Sequence, residues 1–393
     1  MTANGPAARA AAPPLKIAIL GTRGIPANYG GFETFAEELS VRLAARGHDV
    51  TVYGRPHYID RAIDGRHYRG VRIRLIPTIR HKYLDTVVHA FLSCLDCLRR
   101  DYDALLMCNA ANSPFCVLPR LMRTGVAINV DGIERRRRKW NQLAKLYYRL
   151  GEWCAVKIPD ALVADAEVVA AYYREQYGAA PVVIPYGGLA PAAGEATLAR
   201  YGLQPGRYVL YVSRLEPENN ADVVIRAFRA LQTDHPLVIV GDAPYAEAYK
   251  RQLRELAEGD ARIKFTGFLF GDAYRELQSH AGCYVQATEV GGTHPALVEA
   301  MSVGNCVIAN GTPENLEVLG DAGLTYRVND AEHLREHLQA VLSDDSLRQA
   351  YGRRAAARAA ERYTWELVTD QYESLFVALA QRRVLRRGRG LPA

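Results

Sequence analysis

The fold is decided by Glu289-Val-Gly-Gly-Thr-His-Pro-Ala-Leu-Val-Glu-Ala-Met-Ser-Val-Gly-Asn-Cys-Val-Ile-Ala309, a glycine-rich loop that leads into a helix and then into an apolar strand. Gly291 and Gly292 allow the backbone to approach a phosphate closely, and Thr293 is placed to cap the helix. Free N–H groups at a helix start bind anions, so the pattern favours a diphosphate site. Glu299, one turn into the helix, is placed to accept hydrogen bonds from ribose or sugar hydroxyls. The alternative is a tight strand-to-helix connection without a ligand.

Composition indicates an ordinary globular protein with enough residues for two domains: the chain has 393 residues, 49% of them hydrophobic and 23% charged. The net charge is +6, and basic residues cluster at 135–139 and 382–389, which suits phosphates or a membrane surface. The seven cysteines lie mostly in apolar runs without a disulfide pattern, which predicts a cytosolic protein. No apolar run reaches the roughly 18 residues of a membrane span, so any membrane contact is expected to be peripheral.

Strand and helix patterns alternate along the chain, which is typical of parallel, doubly wound sheets. The first series of predicted strands comprises Lys16–Gly21, His48–Tyr53, Val71–Ile76, Ala104–Met107, Val126–Val130 and Ala161–Ala164. The second comprises Tyr208–Ser213, Leu237–Gly241, Ile263–Thr266, Cys283–Gln286 and Cys306–Ala309. We therefore predict an α/β fold of two Rossmann-like domains whose strand ends face a common cleft.

Domain boundaries follow from the composition of the intervening segments. We predict a disordered leader over 1–14, an N-terminal domain over 15–188, a Pro-, Ala- and Gly-rich linker over 189–206 and a C-terminal domain over 207–362. A helix over 363–385 is expected to pack back toward the N-terminal domain, followed by a basic tail over 386–393.

Two further positions in the predicted cleft suit a diphosphate. Gly30 and Gly31 close the loop after the first strand, and adjacent glycines there let main-chain N–H groups approach a phosphate. Arg214 follows the first strand of the second series, and its planar guanidinium matches a pyrophosphate. A salt bridge from Arg214 to Glu216 or Glu218 is the alternative.

Lys16–Gly54, with its Gly21-Thr-Arg-Gly-Ile-Pro-Ala-Asn-Tyr-Gly-Gly31 loop, resembles the N-terminal domain of retaining GT-B glycosyltransferases of family 4. It is most similar to the branch of bacterial capsule and cell-wall rhamnosyltransferases. Further matching stretches are Lys82–His89, Asn129–Glu134, Ser213–Asn220 and Gly291–Ala300. The resemblance covers about residues 15 to 330 and implies a GT-B fold. It also implies transfer of a hexosyl group such as L-rhamnosyl from a nucleoside-diphosphate sugar to a glycan or polyprenyl-diphosphate-linked acceptor, in the assembly of a bacterial surface polysaccharide.

The sequence departs from this family twice. Many members carry a lysine a few residues after the arginine that corresponds to Arg214, whereas this chain has Glu218-Asn-Asn220. We expect Arg23 to supply the missing cation. Members separate two glutamates by seven residues, whereas nine lie between Glu289 and Glu299. Glu299 is therefore the assigned carboxylate, and Glu289 is a further candidate for donor binding.

The resemblance implies front-face displacement with retained anomeric configuration, in which the leaving diphosphate helps to take the acceptor proton. It implies no protein nucleophile, no essential metal and no cofactor. Asp131 ends a strand where related enzymes often carry a histidine near the donor sugar, so Asp131 and Glu299 are the candidate catalytic residues. An Asx turn with Gly132 is the alternative for Asp131.

A basic run next to an aromatic-bearing helix predicts contact with anionic lipid headgroups. The run comprises Arg135, Arg136, Arg137 and Arg138, with Trp140 beside it. A solvated face is the alternative, and no nucleic-acid partner is expected because no nucleic-acid module is present. These features predict a cytoplasmic protein at the inner face of the plasma membrane.

Three other functions fit parts of the pattern. One is a non-transferring GT-B enzyme such as a sugar-nucleotide 2-epimerase. Another is a catalytically dead sugar-binding subunit, an alternative that the missing phosphate-binding lysine suggests. The third is a nicotinamide dehydrogenase, but the loop Gly21-Thr-Arg-Gly24 lacks the compact G-x-G-x-x-G fingerprint.

Overall fold

The structure is a computed structural model that describes residues 13–28, 30–81, 84–137, 140–244 and 246–388. Most of the predicted leader, the last five residues of the predicted basic tail, and Arg138 of the basic run lie outside the described residues.

The N-terminal domain is an α/β sandwich with helices on both faces of a mostly parallel sheet. Its elements are β1 (Lys16–Leu20), α1 (Gly31–Ala45), β2 (Asp49–Gly54), β3 (His67–Tyr68), β4 (Val71–Leu75), α2 (Leu84–Cys97), β5 (Ala104–Cys108), α3 (Val117–Leu121), β6 (Gly125–Asn129), α4 (Gln142–Lys157), β7 (Ala161–Ala164), α5 (Glu167–Tyr177) and β8 (Val182–Val183). Within the described residues the strand order is β3-β4-β2-β1-β5-β6-β7-β8, and β3 runs antiparallel to β4.

The C-terminal domain repeats this plan with a second parallel sheet. Its elements are α6 (Ala196–Tyr201), β9 (Val209–Val212), α7 (Ala221–Arg229), β10 (Leu237–Val240), α8 (Glu247–Ala257), β11 (Ile263–Gly267), α9 (Gly271–Ser279), β12 (Cys283–Gln286), α10 (Pro295–Ser302), β13 (Cys306–Asn310), α11 (Pro313–Leu319), β14 (Leu324–Tyr326), α12 (Ala331–Ser343) and α13 (Asp345–Arg362), after which α14 (Trp365–Gly388) leaves the domain. The strand order over the described residues is β11-β10-β9-β12-β13-β14.

Both sheets are flanked by two apolar clusters, one on each face, because their short strands are buried on both sides. The strand order reverses between β1 and β5 in the first sheet and between β9 and β12 in the second. Ligands of open α/β sheets bind outside the carboxyl ends of the strands at such a point. The loops after β1, β9 and β12 are therefore the ones expected to form a site.

The predicted linker over 189–206 is wrong in its second half. Residues 196–201 form α6, which packs on α9, and the buried side chains of Leu198 and Leu203 belong to the C-terminal core. Burial of these two leucines in an otherwise Pro-, Ala- and Gly-rich segment decides the local structure, since tertiary packing overrides a composition that favours a loop.

Helix α14 returns to the N-terminal domain and completes its core. Tyr372 and Phe376 are buried there, and the rings of Tyr186, Trp365 and Tyr372 surround Phe35 of α1 at centroid distances of 5.3–6.4 Å. The chain thus passes between the domains near residues 187–189 and again near 363–365, where Gly188 N–H donates to the Tyr363 carbonyl.

Candidate active site

Two helix starts, one from each domain, meet at the cleft. Helix α1 begins after Gly30 and α10 begins after His294, and neither of these residues caps its helix with a side chain. A Cβ atom on Gly31 would lie 2.9 Å from Pro295 Cγ, so the glycine is what allows the two starts to touch. Since each helix start carries free N–H groups and a positive dipole end, their convergence produces a positive potential in the cleft.

The glycines of the loop after β12 pack against the N-terminal domain. A Cβ atom on Gly292 would lie 2.1 Å from Asp165 Oδ1, and one on Gly132 would lie 2.6 Å from the backbone of Gly291. The sequence interpretation assigned Gly291 and Gly292 to the approach of a phosphate. In this conformation Gly292 allows the approach of the other domain, whereas a Cβ atom on Gly291 would collide with the ring of His294 in its own loop.

Thr293 does not cap α10, so this part of the sequence prediction is wrong. Its N–H donates to Asp165 Oδ2 at 2.8 Å, and its hydroxyl donates to the Asp165 carbonyl. The backbone carbonyl of Asp165, directly after β7, accepts the hydroxyl that would otherwise cap the helix. Thr293 therefore connects the loop after β12 to the N-terminal domain.

The carboxyl groups of Asp131 and Asp165 lie next to each other at the same contact. Burial and the neighbouring carboxyl raise the pKa of Asp165 well above its ordinary value, and burial also raises the pKa of Asp131. Tyr186 donates its hydroxyl to Asp131 Oδ1 at 3.1 Å. The backbone of Asp131 has φ of +54°, and its N–H donates to Asn129 Oδ1, so Asn129 makes the turn that was predicted for Asp131.

Glu299 is buried in the C-terminal domain and accepts a hydrogen bond from the hydroxyl of Tyr274. Burial raises its pKa from 4.5 to about 7, while the bond from Tyr274 opposes the rise. Desolvation outweighs the dipole of the helix start one turn away, which by itself would favour the ionised carboxylate. A carboxyl with this pKa can donate as well as accept a hydrogen bond at neutral pH.

Glu289 has different partners from Glu299. Its carboxylate accepts from the side-chain amide of Asn329, and its N–H donates to the Glu218 carbonyl at 2.9 Å. These bonds fix the loop after β12 against the loop after β9. Glu289 thus lies where the two loops of the strand-order reversal meet.

Arg214 follows β9 and lies beside carboxylates from its own loop. Its Nη1 is 3.9 Å from Glu216 Oε2, which in turn is 3.8 Å from Arg137 Nη1 of the other domain. Both the salt-bridge and the cleft-facing interpretations of Arg214 therefore describe part of its environment. About 31% of its side chain is exposed, which leaves it accessible to a ligand.

The described part of the basic run, residues 135–137, is not a free surface, and the lipid contact predicted for Arg137 is wrong. Arg137 is 7% exposed, and its Nε is 2.6 Å from Glu134 Oε1. Arg135 pairs with Glu152 at 3.2 Å, and the indole of Trp140 donates to Glu134 at 3.2 Å. The carboxylates of Glu134 and Glu152 hold these side chains against the protein, and only Arg136 of the described part of the run is exposed.

Arg23 stacks over the ring of Tyr58 at 4.5 Å, and its N–H donates to Glu33 Oε1 at 2.9 Å. Both partners belong to the N-terminal domain. His89 is buried and contacts the Gly54 carbonyl at 3.0 Å, and burial lowers its pKa to about 3. It is a structural residue.

Among the described residues, no His, Cys, Asp and Glu side chains form a group of three placed to hold a metal ion. Asp101 and Asp103 have the Asp-x-Asp spacing of a metal motif, but both pair with Arg383 of α14. The two aspartates fasten the last helix to the start of β5.

Sequence reasoning missed Asp165 and Tyr274, and it placed Arg137 on a surface although the side chain is buried. The sequence does indicate a site position for Asp165, because an acidic residue directly after the buried run Ala161–Ala164 lies at the carboxyl end of a parallel strand. Nothing in the local sequence indicates the positions of Tyr274 and Arg137, because their partners Glu299 and Glu216 are far away in sequence.

The two halves of the chain match two family models in succession. Residues 29–188 match the model described as Glycosyltransferase Family 4, and residues 199–358 match the model described as Glycosyl transferases group 1. The two matches coincide with the two domains of the structure.

Curated relatives and solved structures agree with these matches. The chain is 29% identical to the O-antigen chain mannosyltransferase B of Escherichia coli over 46% of this chain and 48% of that protein. It is 30% identical to the phosphatidyl-myo-inositol mannosyltransferase of Mycolicibacterium smegmatis over 53% of this chain and 55% of that protein. The chain thus spans about half the length of each of these two mannosyltransferases. Sucrose-phosphate synthase from Thermosynechococcus elongatus superposes with a TM-score of 0.76 at 18% identity, covering 93% of this chain and 99% of that one. The predicted fold, two Rossmann-like domains in the GT-B arrangement, is confirmed.

Proposed function

We propose that this chain, which is built from the two domains of a GT-B glycosyltransferase, transfers a hexosyl group from a nucleoside-diphosphate sugar to a glycan or lipid-linked acceptor with retained anomeric configuration. The observation that carries the proposal is the meeting of the starts of α1 and α10 beside Arg214, since converging N–H groups and a guanidinium suit a diphosphate. L-Rhamnosyl, which the sequence resemblance implies, and mannosyl, which both curated relatives carry in their names, are the first donor sugars to test.

In the proposed reaction the bond between the anomeric carbon and the diphosphate oxygen breaks. An acceptor hydroxyl bonds to the same face of that carbon, and its proton passes to the departing diphosphate. The cleft supplies positive potential for the leaving group, so neither a protein nucleophile nor a metal is part of the proposal. In this proposal Asp131 binds a hydroxyl of the sugar or acceptor, and Glu299 binds a hydroxyl of the donor.

Donor binding and turnover test the proposal in two stages. A panel of nucleotide sugars that includes dTDP-L-rhamnose, GDP-mannose and UDP-glucose is screened by thermal shift, because a bound ligand raises the melting temperature by mass action. The stabilising donor is then incubated with and without polyprenyl-diphosphate-linked acceptors. Transfer to an acceptor supports the proposal. Isomerisation of the donor without acceptor indicates a 2-epimerase, and binding without any turnover indicates a sugar-binding subunit.

A membrane surface is the proposed location of the acceptor, through a different face from the one that the basic run predicted. Leu143, Leu146, Leu150 and Trp153 recur at helical spacing along α4 and are between 50% and 75% exposed. We call this the α4 stripe. Lys145, Arg149 and Lys157 lie on the same helix, and Leu121 of α3 is 74% exposed. An apolar stripe with basic neighbours suits an anionic bilayer interface. Among the described residues, none of the helices combines the length and the apolar run needed to cross a bilayer.

Sedimentation with liposomes that contain anionic phospholipid tests the α4 stripe. Replacing Leu146 and Leu150 with serine should weaken liposome binding by at least about tenfold, because burial of each leucine contributes about 1.5 kcal/mol or more. Leu316→Ser and Leu367→Ser are matched controls, since both leucines are similarly exposed but lie on other helices. Equal binding by the stripe variant and the controls would remove the membrane from the proposal.

A further inference from the structure

Glu216 lies between two guanidinium groups that come from different domains. Its Oε2 is within 4 Å of both Arg137 Nη1 and Arg214 Nη1. The same two cations, together with burial, lower the pKa of His294 to about 3. Because His294 immediately precedes α10, both arginines lie at the helix start that the proposed function assigns to the donor diphosphate.

Arg137 is held in this position and remains charged. Burial would lower its pKa, but the carboxylates of Glu134, Glu216 and Glu218 raise it above the ordinary value. Glu134, 2.6 Å from Nε, already supplies one counter-charge. Nη1 faces the C-terminal domain, 3.8 Å from Glu216 and 3.7 Å from Glu218. These longer distances leave this edge of the guanidinium able to bind a closer anion.

The loop after β9 has no lysine at the position where the sequence resemblance leads one to expect a second cation. Asn219 and Asn220 stand where the sequence resemblance leads one to expect a lysine, and both amides are already engaged. Asn219 Nδ2 donates to the Arg214 carbonyl at 2.6 Å, and Asn220 Nδ2 donates to the Ala287 carbonyl at 2.9 Å. Glu218 beside them is fully buried, and its carboxylate oxygens accept no hydrogen bond from the described residues.

We propose that Arg137 is the second cation of the donor diphosphate site, and that one phosphate group binds between Arg137 and Arg214 in the position that the Glu216 carboxylate takes in this structure. The inference rests on the proposed function, because it presupposes a nucleoside-diphosphate donor. It adds that the N-terminal domain contributes directly to donor binding. A phosphate group has two or more oxygens that can accept hydrogen bonds from two guanidinium groups at once. Glu216 Oε2, by comparison, lies 3.8 Å from Arg137 Nη1 and 3.9 Å from Arg214 Nη1.

Isothermal titration with UDP, GDP and dTDP tests the inference, using whichever diphosphate binds the wild type most tightly and its parent nucleoside. Arg137→Gln and Arg214→Gln should each weaken diphosphate binding by about 10- to 100-fold and leave nucleoside binding within about twofold. Arg136→Gln, an exposed neighbour in the same run, is the matched control and should bind like the wild type. Glu216→Gln should bind the diphosphate about threefold more tightly or better, because it removes the competing anion.

The outcomes separate the inference from the function on which it rests. Wild-type diphosphate affinity in Arg137→Gln, with affinity lost in Arg214→Gln, overturns the role of Arg137 and leaves the glycosyltransferase proposal standing. Failure of the wild type to bind any of the three diphosphates counts against the proposed function itself. Should Arg137→Gln fail to fold, Glu216→Gln decides alone, since unchanged affinity in that variant overturns the inference and tighter binding supports it.

Discussion

Replacing Glu299 with glutamine should abolish a pH dependence of stability that the wild-type chain has. Glu299 is 5% exposed, and its principal partner is the hydroxyl of Tyr274, so its charge has little compensation. Glutamine keeps the size and the acceptor oxygen but cannot ionise. The two chains therefore differ mainly in whether position 299 exchanges a proton with solvent.

The magnitude follows from the pKa of Glu299, which rises from 4.5 to about 7 on folding. Each unit corresponds to about 1.36 kcal/mol, so the whole shift corresponds to about 3 kcal/mol. Between pH 4.5 and 7 the native state keeps a proton that the unfolded state releases, so the free energy of unfolding falls as the pH rises through this window. Below pH 4.5 both states are protonated, and above pH 7 both are ionised. Relative to the wild type, Glu299→Gln should gain about 3 kcal/mol between pH 4.5 and pH 7.

Urea denaturation followed by circular dichroism from pH 4 to pH 9 measures this difference. Tyr274→Phe is the matched control, because the lost hydrogen bond would raise the pKa of Glu299 further and extend the window above pH 7. The KM for the donor should show an inflection near pH 7 in the wild type and none in Glu299→Gln. A constant difference in the free energy of unfolding between wild type and Glu299→Gln across the whole range would refute the neutral buried carboxyl.

Two further predictions concern the contact between the domains. Gly292→Ala should weaken donor binding by at least about tenfold, measured by titration, because its Cβ would lie 2.1 Å from Asp165 Oδ1; wild-type affinity in this variant would contradict the clash. Thr293→Val should lower the free energy of unfolding, measured by calorimetry, by about 1 kcal/mol, because it removes the hydroxyl that donates to the Asp165 carbonyl. Thr293→Ser keeps a hydroxyl and should retain most of that stability. Equal losses in the two variants would mean that the hydroxyl contributes nothing.

The fold was predictable from the sequence because its signals are local. Buried runs such as Cys283–Gln286 are continuous in the chain, and the predicted strand there has the bounds that the structure gives it. The two-domain α/β fold follows from repeating such units. Helix α6 was missed because its reason for folding, the packing of Leu198 against the second domain, is not local.

The candidate site was less predictable, because its residues are set by contacts between distant segments. The sequence located the loop after β12 and Arg214, but it assigned Thr293 to a helix cap that Asp165 pre-empts from 128 residues away. It also assigned Arg137 to a surface, whereas carboxylates of the other domain hold it in the cleft. Charge patterns in the chain therefore identified ionic residues without identifying the partners that determine their roles.

The return of α14 to the N-terminal domain has a consequence for biosynthesis. Of the two domains described, the N-terminal one is synthesised earlier, yet it cannot close its core until α14 has also emerged, because Tyr372, Phe376 and Leu379 are buried within that core. Domains generally fold in the order of their synthesis, but here the C-terminal domain has all its core residues available before the N-terminal one does. A premature stop codon near residue 364 would therefore damage the domain most distant from it in sequence, by exposing Phe35 and its neighbours to chaperones and proteases.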